Sequence, residues 1–159
     1  MIQVTVITVG GLKEAYWRDA VAEYEKRLSA FCKPNIVQLK EAKLPEDPSE
    51  GEIRTALADE GKRILSTMPP RSYRVALCVE GKQFSSEALA KKIETVLTEN
   101  GSLCLIIGSS HGLAPEVKAA SDLRLSVSEL TFPHQMMRVL LLEVLYRTFS
   151  IIKGTKYHK

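Results

Sequence analysis

Leu103-Cys104-Leu105-Ile106-Ile107 is an unbroken apolar run set between Asn100-Gly101 and Gly108. A strand with one wet face alternates apolar and polar residues, whereas a strand with no alternation is covered on both faces. This run therefore calls for a sheet with helices on both sides. The rest of the chain reads in those terms. Ile2–Val9 mixes apolar residues with Gln3, Thr5 and Thr8, as a strand does, and Gly10-Gly11 ends it. Leu12, Tyr16, Trp17, Ala20, Val21, Tyr24 and Leu28 recur at three- and four-residue spacing, which predicts a helix over 12–28. Pro34 breaks that pattern, and Ile36–Leu39 reads as a short second strand. Lys43–Pro48 is a turn-rich loop.

Ser49 and Glu52 have capping-box spacing and start a second helix. Its stripe is Ile53, Leu57, Ile64, Leu65 and Met68, and Pro69-Pro70 ends it. Tyr73–Val79 is a strand. Ser85 or Ser86 caps a third helix, with Leu89, Ile93, Val96 and Leu97 inward and Asn100-Gly101 closing it. Leu123–Val127 is a last short strand, and Pro133 suits the first turn of a final helix, His134–Ile152. Five strands alternating with helices predict an α/β fold: one domain over 1–159, with a largely parallel sheet flanked by helices.

The final helix is apolar around most of its circumference. Met136, Met137, Val139, Leu140, Leu141, Leu142, Val144, Leu145, Phe149, Ile151 and Ile152 exceed the stripe of roughly 100° that an ordinary surface helix buries. One sheet face cannot cover them all. The expectation is a second copy of the chain in a two-fold dimer. The alternative is a central helix wrapped by its own domain.

Composition excludes more than it selects. A net charge of +3 is too mild to indicate nucleic-acid binding by itself, though a local basic patch remains compatible with it. Cys32, Cys78 and Cys104 have no metal or redox spacing and read as small buried hydrophobes in a reducing compartment. No metal site is expected. No signal peptide and no run of the ~18 apolar residues needed to span a bilayer is visible, so a soluble cytoplasmic protein is expected.

Four clusters could carry chemistry. Gly10-Gly11 lacks GxGxxG spacing and suits a tight turn, although Glu41 lies where a ribose-binding acid could sit. Gly108-Ser109-Ser110-His111-Gly112 follows the buried strand. Read literally it is G-x-S-x-G, the nucleophile elbow of a serine hydrolase, with Asp122 and then His134 or His158 in triad order. An elbow needs a helix directly after the nucleophile, and Gly112 and Pro115 interrupt one. The same loop also suits a ligand loop at the C-terminal edge of a parallel strand, or a plain turn. In the run Thr131–Arg138, His134 lies in the first turn of the last helix and Arg138 follows at i+4 on the same side. The tail Lys153–Lys159 carries three lysines with Tyr157 and His158, types that can neutralise phosphates and stack a base.

The segment LTFPHQMMRVLLLEVLYRTFSIIKGTKYHK closely resembles the C-terminal signature of the RlmH family, and VITVGGLKEAYWRDAVAEYEKRL and LIIGSSHGL resemble its other segments. The resemblance spans the whole chain, with FPHQMMR and YHK its specific parts. The family consists of SPOUT-class methyltransferases. They use S-adenosyl-L-methionine to methylate N3 of a pseudouridine in 23S rRNA of the assembled ribosome. The resemblance implies a C-terminal trefoil knot, an exception to the un-knotted rule, and a homodimer. It also implies Leu77, Gly108 and the segment Val127, Ser128, Glu129, Leu130, Thr131 and Phe132 along the cofactor. His134, Arg138, Tyr157 and His158 would face the nucleotide, the last two in a tail that the second copy of a dimer could contribute. Ser109 stands where the family usually has a second glycine, and a positive φ there would strain it. In this reading His134 or His158 accepts the N3 proton and Arg138 stabilises the developing anion. The competing readings are a serine hydrolase using Ser110 and a non-catalytic RNA-binding module.

Overall fold

β1 (Gln3–Val9), β2 (Lys33–Leu39), β3 (Tyr73–Lys82), β4 (Ser102–Ile107) and β5 (Leu123–Leu125) form one sheet in the order β2-β1-β4-β3-β5, every pair parallel and β4 in the middle. The computed structural model describes residues 1–159. The elements run β1 (Gln3–Val9), α1 (Ala15–Leu28), β2 (Lys33–Leu39), α2 (Glu50–Thr67), β3 (Tyr73–Lys82), α3 (Ser86–Asn100), β4, α4 (Pro115–Ala119), β5 (Leu123–Leu125) and α5 (His134–Ile152). The two-residue period of a strand divides the apolar run of β4 between two cores. Leu103, Leu105 and Ile107 join Val4, Val6 and Val75 under α1, α3 and α5. Cys104 and Ile106 join Ile7, Val9 and Ala76 under α2 and α4.

The helix boundaries follow local chemistry. Ser49 Oγ accepts from the Glu52 amide at 3.1 Å, and Glu52 Oε1 accepts from the Ser49 amide at 3.1 Å, completing the capping box of α2. Ser85 Oγ accepts from the Ala88 amide at 3.1 Å to cap α3, which Gly101 ends in the left-handed conformation, φ +73°. Some boundaries differ from expectation. α1 starts at Ala15, three residues later than the periodicity suggests. β2 begins at Lys33 and includes Pro34, which an edge strand tolerates because one side needs no N–H donor. β3 runs on to Lys82, and α4 was not anticipated. Leu65 of the α2 stripe is exposed.

α5 packs between α1 and α3 on one sheet face. Leu141, Leu142, Leu145 and Phe149 are buried, whereas Met136, Val139, Leu140, Val144, Ile151 and Ile152 are only half-buried. The Phe149 ring is fully covered and stacks on Phe31 with centroids 6.2 Å apart and planes 10° from parallel. Phe149→Ala should therefore cost about 3–5 kcal/mol, seen as a fall in Tm of roughly 2–4 °C per kcal/mol. A shift within error of the wild type would show that this core is not the cooperative unit.

Candidate active site

Strands β3, β4 and β5 end on one edge of the sheet, where their following loops diverge and leave a crevice. The loop after β4, the segment after β5 and the first turns of α5 enclose a cavity of about 290 Å³. Leu77, Ile107, Leu125, Val127, Phe132 and Met137 give it apolar walls. Ser128, Thr131 and His134 give it polar ones, and Glu80, paired with Lys118, lies at its margin. Apolar walls with few placed polar groups are the usual make-up of a small-molecule site. Of the backbone amides from Val127 to Phe132, Leu130's alone is hydrogen-bonded within the protein, to Ser128 Oγ at 3.0 Å. The others are free donors in a cavity-lining segment.

The glycines of the β4 loop are needed by the turn itself. A Cβ on Gly108 would sit 2.1 Å from the Gly112 carbonyl oxygen. The Gly112 amide donates to the Ser109 carbonyl at 2.9 Å, and Gly112 has φ +91°. Ser109 does not adopt a positive φ; among non-glycine residues only Arg71 does. Its hydroxyl is buried and donates to Glu60 Oε1 at 2.9 Å. The departure from a second glycine is thus accommodated without backbone strain.

Of the expected cofactor residues, Leu77, Gly108, Val127, Ser128, Leu130, Thr131 and Phe132 line the cavity, while Glu129 is exposed outside it. Cys78 also lines it, half-buried, with its thiol pushed up by burial and then by Glu80. Cys32 and Cys104 are buried in the cores, and burial pushes both thiols up to about 11.

His134 stands between this cavity and the end of β1. A methyl carbon at Gly10, φ +92°, would lie 3.6 Å from His134 Nε2 and 3.4 Å from a Glu41 carboxylate oxygen. Arg138, one turn further along α5, lies under that corner and does not line the cavity. It is 2% exposed, donates to the Gly10 carbonyl at 2.9 Å and to Gln38 Oε1 at 3.2 Å, and leaves Nε without a partner. No carboxylate lies within ion-pair distance of it, and burial holds its pKa below the ordinary value.

Tyr157 and His158 lie apart from the cavity. Tyr157 Oη donates to Glu143 at 2.9 Å, and His158 sits 3.2 Å from Arg147 Nη1 and 2.8 Å from Glu87 Oε1. A smaller recess of about 200 Å³, lined by Glu143 and Arg147 and sharing Leu125 and Val127 with the main cavity, adjoins them. Burial works against the Glu143 carboxylate, but hydrogen bonds from Tyr24, Tyr157 and Arg147 together hold it below its ordinary value of 4.5. Burial and Glu143 push Tyr24 up to about 12. Because the folded Glu143 value is depressed, its stabilisation is complete above the unfolded carboxylate range and is lost as pH falls through the folded value. Glu143→Gln should flatten this acid-side loss in a comparison of stability at pH 7 and below pH 4.5. An unchanged acid dependence would contradict the assignment.

Ser110 is exposed and makes no hydrogen bond to an imidazole or carboxylate. Asp122 sits before β5, at the opposite edge of the sheet, with Oδ2 accepting from the Arg74 amide at 2.8 Å. No serine-hydrolase triad is assembled. No group of three or more His, Cys, Asp or Glu side chains could hold a metal ion, and no helix is long and apolar enough to cross a membrane.

Glu60 was missed by sequence reasoning, although its spacing from Ala56 and Ile64 puts it within the buried face of α2. The roles of Gln38 and Glu143 were missed too, because long-range packing creates them. A family model described as predicted SPOUT methyltransferase matches residues 2–158. Covering the sheet, the cavity loops and the last helix alike, that match places the chain in the SPOUT methyltransferase family, which includes RlmH.

Proposed function

We propose that this chain, acting over 1–159 as one catalytic domain, methylates N3 of a pseudouridine in 23S rRNA of the assembled ribosome, in the cytoplasm. S-adenosyl-L-methionine, used by SPOUT methyltransferases generally, is the donor. The observation that carries this reading is the segment Val127–Phe132, which lines an apolar cavity next to His134 at every residue but Glu129 and leaves every backbone amide but Leu130's without a partner in the protein. Apolar walls suit a purine face, and free backbone donors suit its polar edge. The β4 loop with Gly108 and the β3 residue Leu77 complete the cofactor wall.

When bound, the cofactor supplies an electrophilic methyl group on a sulfonium. The cavity walls would hold the acceptor nitrogen beside that methyl group, and such positioning can lower a barrier by several kcal/mol. The protonated N3 is a poor nucleophile, so its proton has to leave. His134, at the cavity wall, takes that proton. Arg138, without a carboxylate partner, supplies positive potential to the base as negative charge develops on it.

Two further features belong to this reading. Leu125 pairs with both Leu77 and Lys82 of β3 across a register shift, and a C-terminal trefoil knot involving the segment after β5 is part of this proposal. The half-buried apolar residues of α5 suit a homodimer, which would bring a second copy's Tyr157 and His158 towards the cavity.

A thermal-shift titration tests the cofactor assignment. S-adenosylmethionine at ~100-fold over Kd adds roughly 2.7 kcal/mol of stability. A Tm that does not move over the titration would overturn the assignment.

A further inference from the structure

Glu60 is 4% exposed in the middle of α2. Its side chain reaches two loops far apart in sequence. Oε1 accepts from Ser109 Oγ at 2.9 Å, and Oε2 accepts from the Ala42 amide at 2.9 Å. No lysine, arginine or histidine lies within ion-pair distance of it. Its buried oxygens thus depend on these two neutral donors, and loss of either leaves an acceptor unsatisfied.

The two loops belong to opposite parts of the site. Ser109 follows Gly108 in the turn that walls the cavity. Ala42 follows Glu41, whose carboxylate shares the corner at Gly10 with His134. Ala42 itself does not line the cavity. The turn at Gly108–Gly112 is closed within itself, and Ser109 is the residue through which a side chain ties it to α2. Gly61, next to Glu60, helps explain how α2 comes so near. A Cβ there would lie 2.9 Å from Ala114 Cβ, just beyond the turn.

We propose that Glu60 is a positioning residue that braces the cofactor loop against the loop after β2, so that cofactor binding on one side tightens the acceptor side at Glu41–His134. The proposal rests on the S-adenosylmethionine reading of the cavity. It makes Ser109 a tether in place of the second glycine that the family resemblance leads one to expect.

The chemistry distinguishes Glu60→Gln from Glu60→Ala. The glutamine Oε1 can still accept from the Ala42 amide. Its Nε2 can donate to Ser109 Oγ, because a hydroxyl accepts as readily as it donates. Both links survive with the hydroxyl turned round. Alanine removes both, and Ser109→Ala removes one without touching α2.

The test combines cofactor titration, steady-state kinetics and NMR-detected hydrogen exchange on the full chain with S-adenosylmethionine. In the wild type, saturating cofactor slows exchange of the Ala42 amide by about tenfold or more, although Ala42 does not line the cavity. Glu60→Ala weakens cofactor binding by about tenfold or more, as expected for a buried network opened on one side. Ser109→Ala weakens it about three- to tenfold, lowers kcat at saturating cofactor as well as raising the cofactor KM, and abolishes the Ala42 response. Glu60→Gln stays within about threefold of the wild type and keeps that response. If Glu60→Ala does not fold, Ser109→Ala and Glu60→Gln decide the matter. A wild type that binds no S-adenosylmethionine overturns the cofactor reading and this inference with it. A wild type that binds, beside a Ser109→Ala protein with unchanged affinity and an intact Ala42 response, overturns the bracing role alone.

Discussion

Gly108→Ala is expected to abolish cofactor binding and to destabilise the fold. The new Cβ would meet the Gly112 carbonyl oxygen at 2.1 Å, the Gly112 carbonyl carbon at 2.5 Å and Leu113 Cδ2 at 3.0 Å. Two of these contacts are with backbone, which cannot rotate away as a side-chain tip can. Retreat of the turn would break the bond from the Gly112 amide to the Ser109 carbonyl and pull Ser109 off Glu60. Overpacking of this kind costs typically 1–3 kcal/mol and occasionally more, and the upper end is expected here because the obstacle is main chain. Gly112→Ala is the control. No atom lies within 4 Å of the Cβ it would add, so only the positive φ of +91° penalises it, a cost of roughly 1–2 kcal/mol. Melting and titration of the two variants check this. Equal effects would mean that left-handed backbone, and not the close approach at Gly108, governs the loop.

His134→Ala is expected to lower kcat by about 10²–10⁴-fold, the usual range for a positioned acid or base. Two observations motivate it. His134 lines the cavity, and its Nε2 lies by the corner of Gly10 and Glu41 without a hydrogen bond to the protein. Cofactor affinity should fall far less, because the apolar walls and the amides of Val127–Phe132 are untouched. Single-turnover rates at saturating cofactor separate the two quantities. A variant with wild-type turnover would remove His134 from proton transfer. A variant that loses cofactor binding instead would make it part of the cofactor wall.

Much of the fold was readable because short-range chemistry decides it. The absence of alternation in Leu103–Ile107 required cover on both faces, and both cores exist. The Ser49–Glu52 capping box, the Ser85 cap and Gly101 each mark a helix boundary that the structure keeps. Pro34 misled because its penalty depends on strand position, and edge position is a property of topology. The site was legible as a set of loops: Gly108–Gly112, Val127–Phe132 apart from Glu129, and His134 do meet at one cavity. What escaped was set by packing between distant segments. Glu60 looks like a solvated helix residue until Ser109 and Ala42 close over it. Arg138 shares a helix side with His134, yet Gly10 and Gln38 hold it under the corner and out of the cavity. Tyr157 and His158 join a network on Glu143, Arg147 and Glu87 that no local pattern announces.

The most direct measurement of the central claim is transfer of labelled methyl from S-adenosylmethionine to ribosomes from a strain lacking this protein, followed by mapping of the modified nucleotide. Label is expected on N3 of a pseudouridine in large-subunit rRNA, from the wild type and not from Gly108→Ala. Ribosomes left unlabelled by a wild type that binds the cofactor, or label on a different atom or RNA, would contradict it.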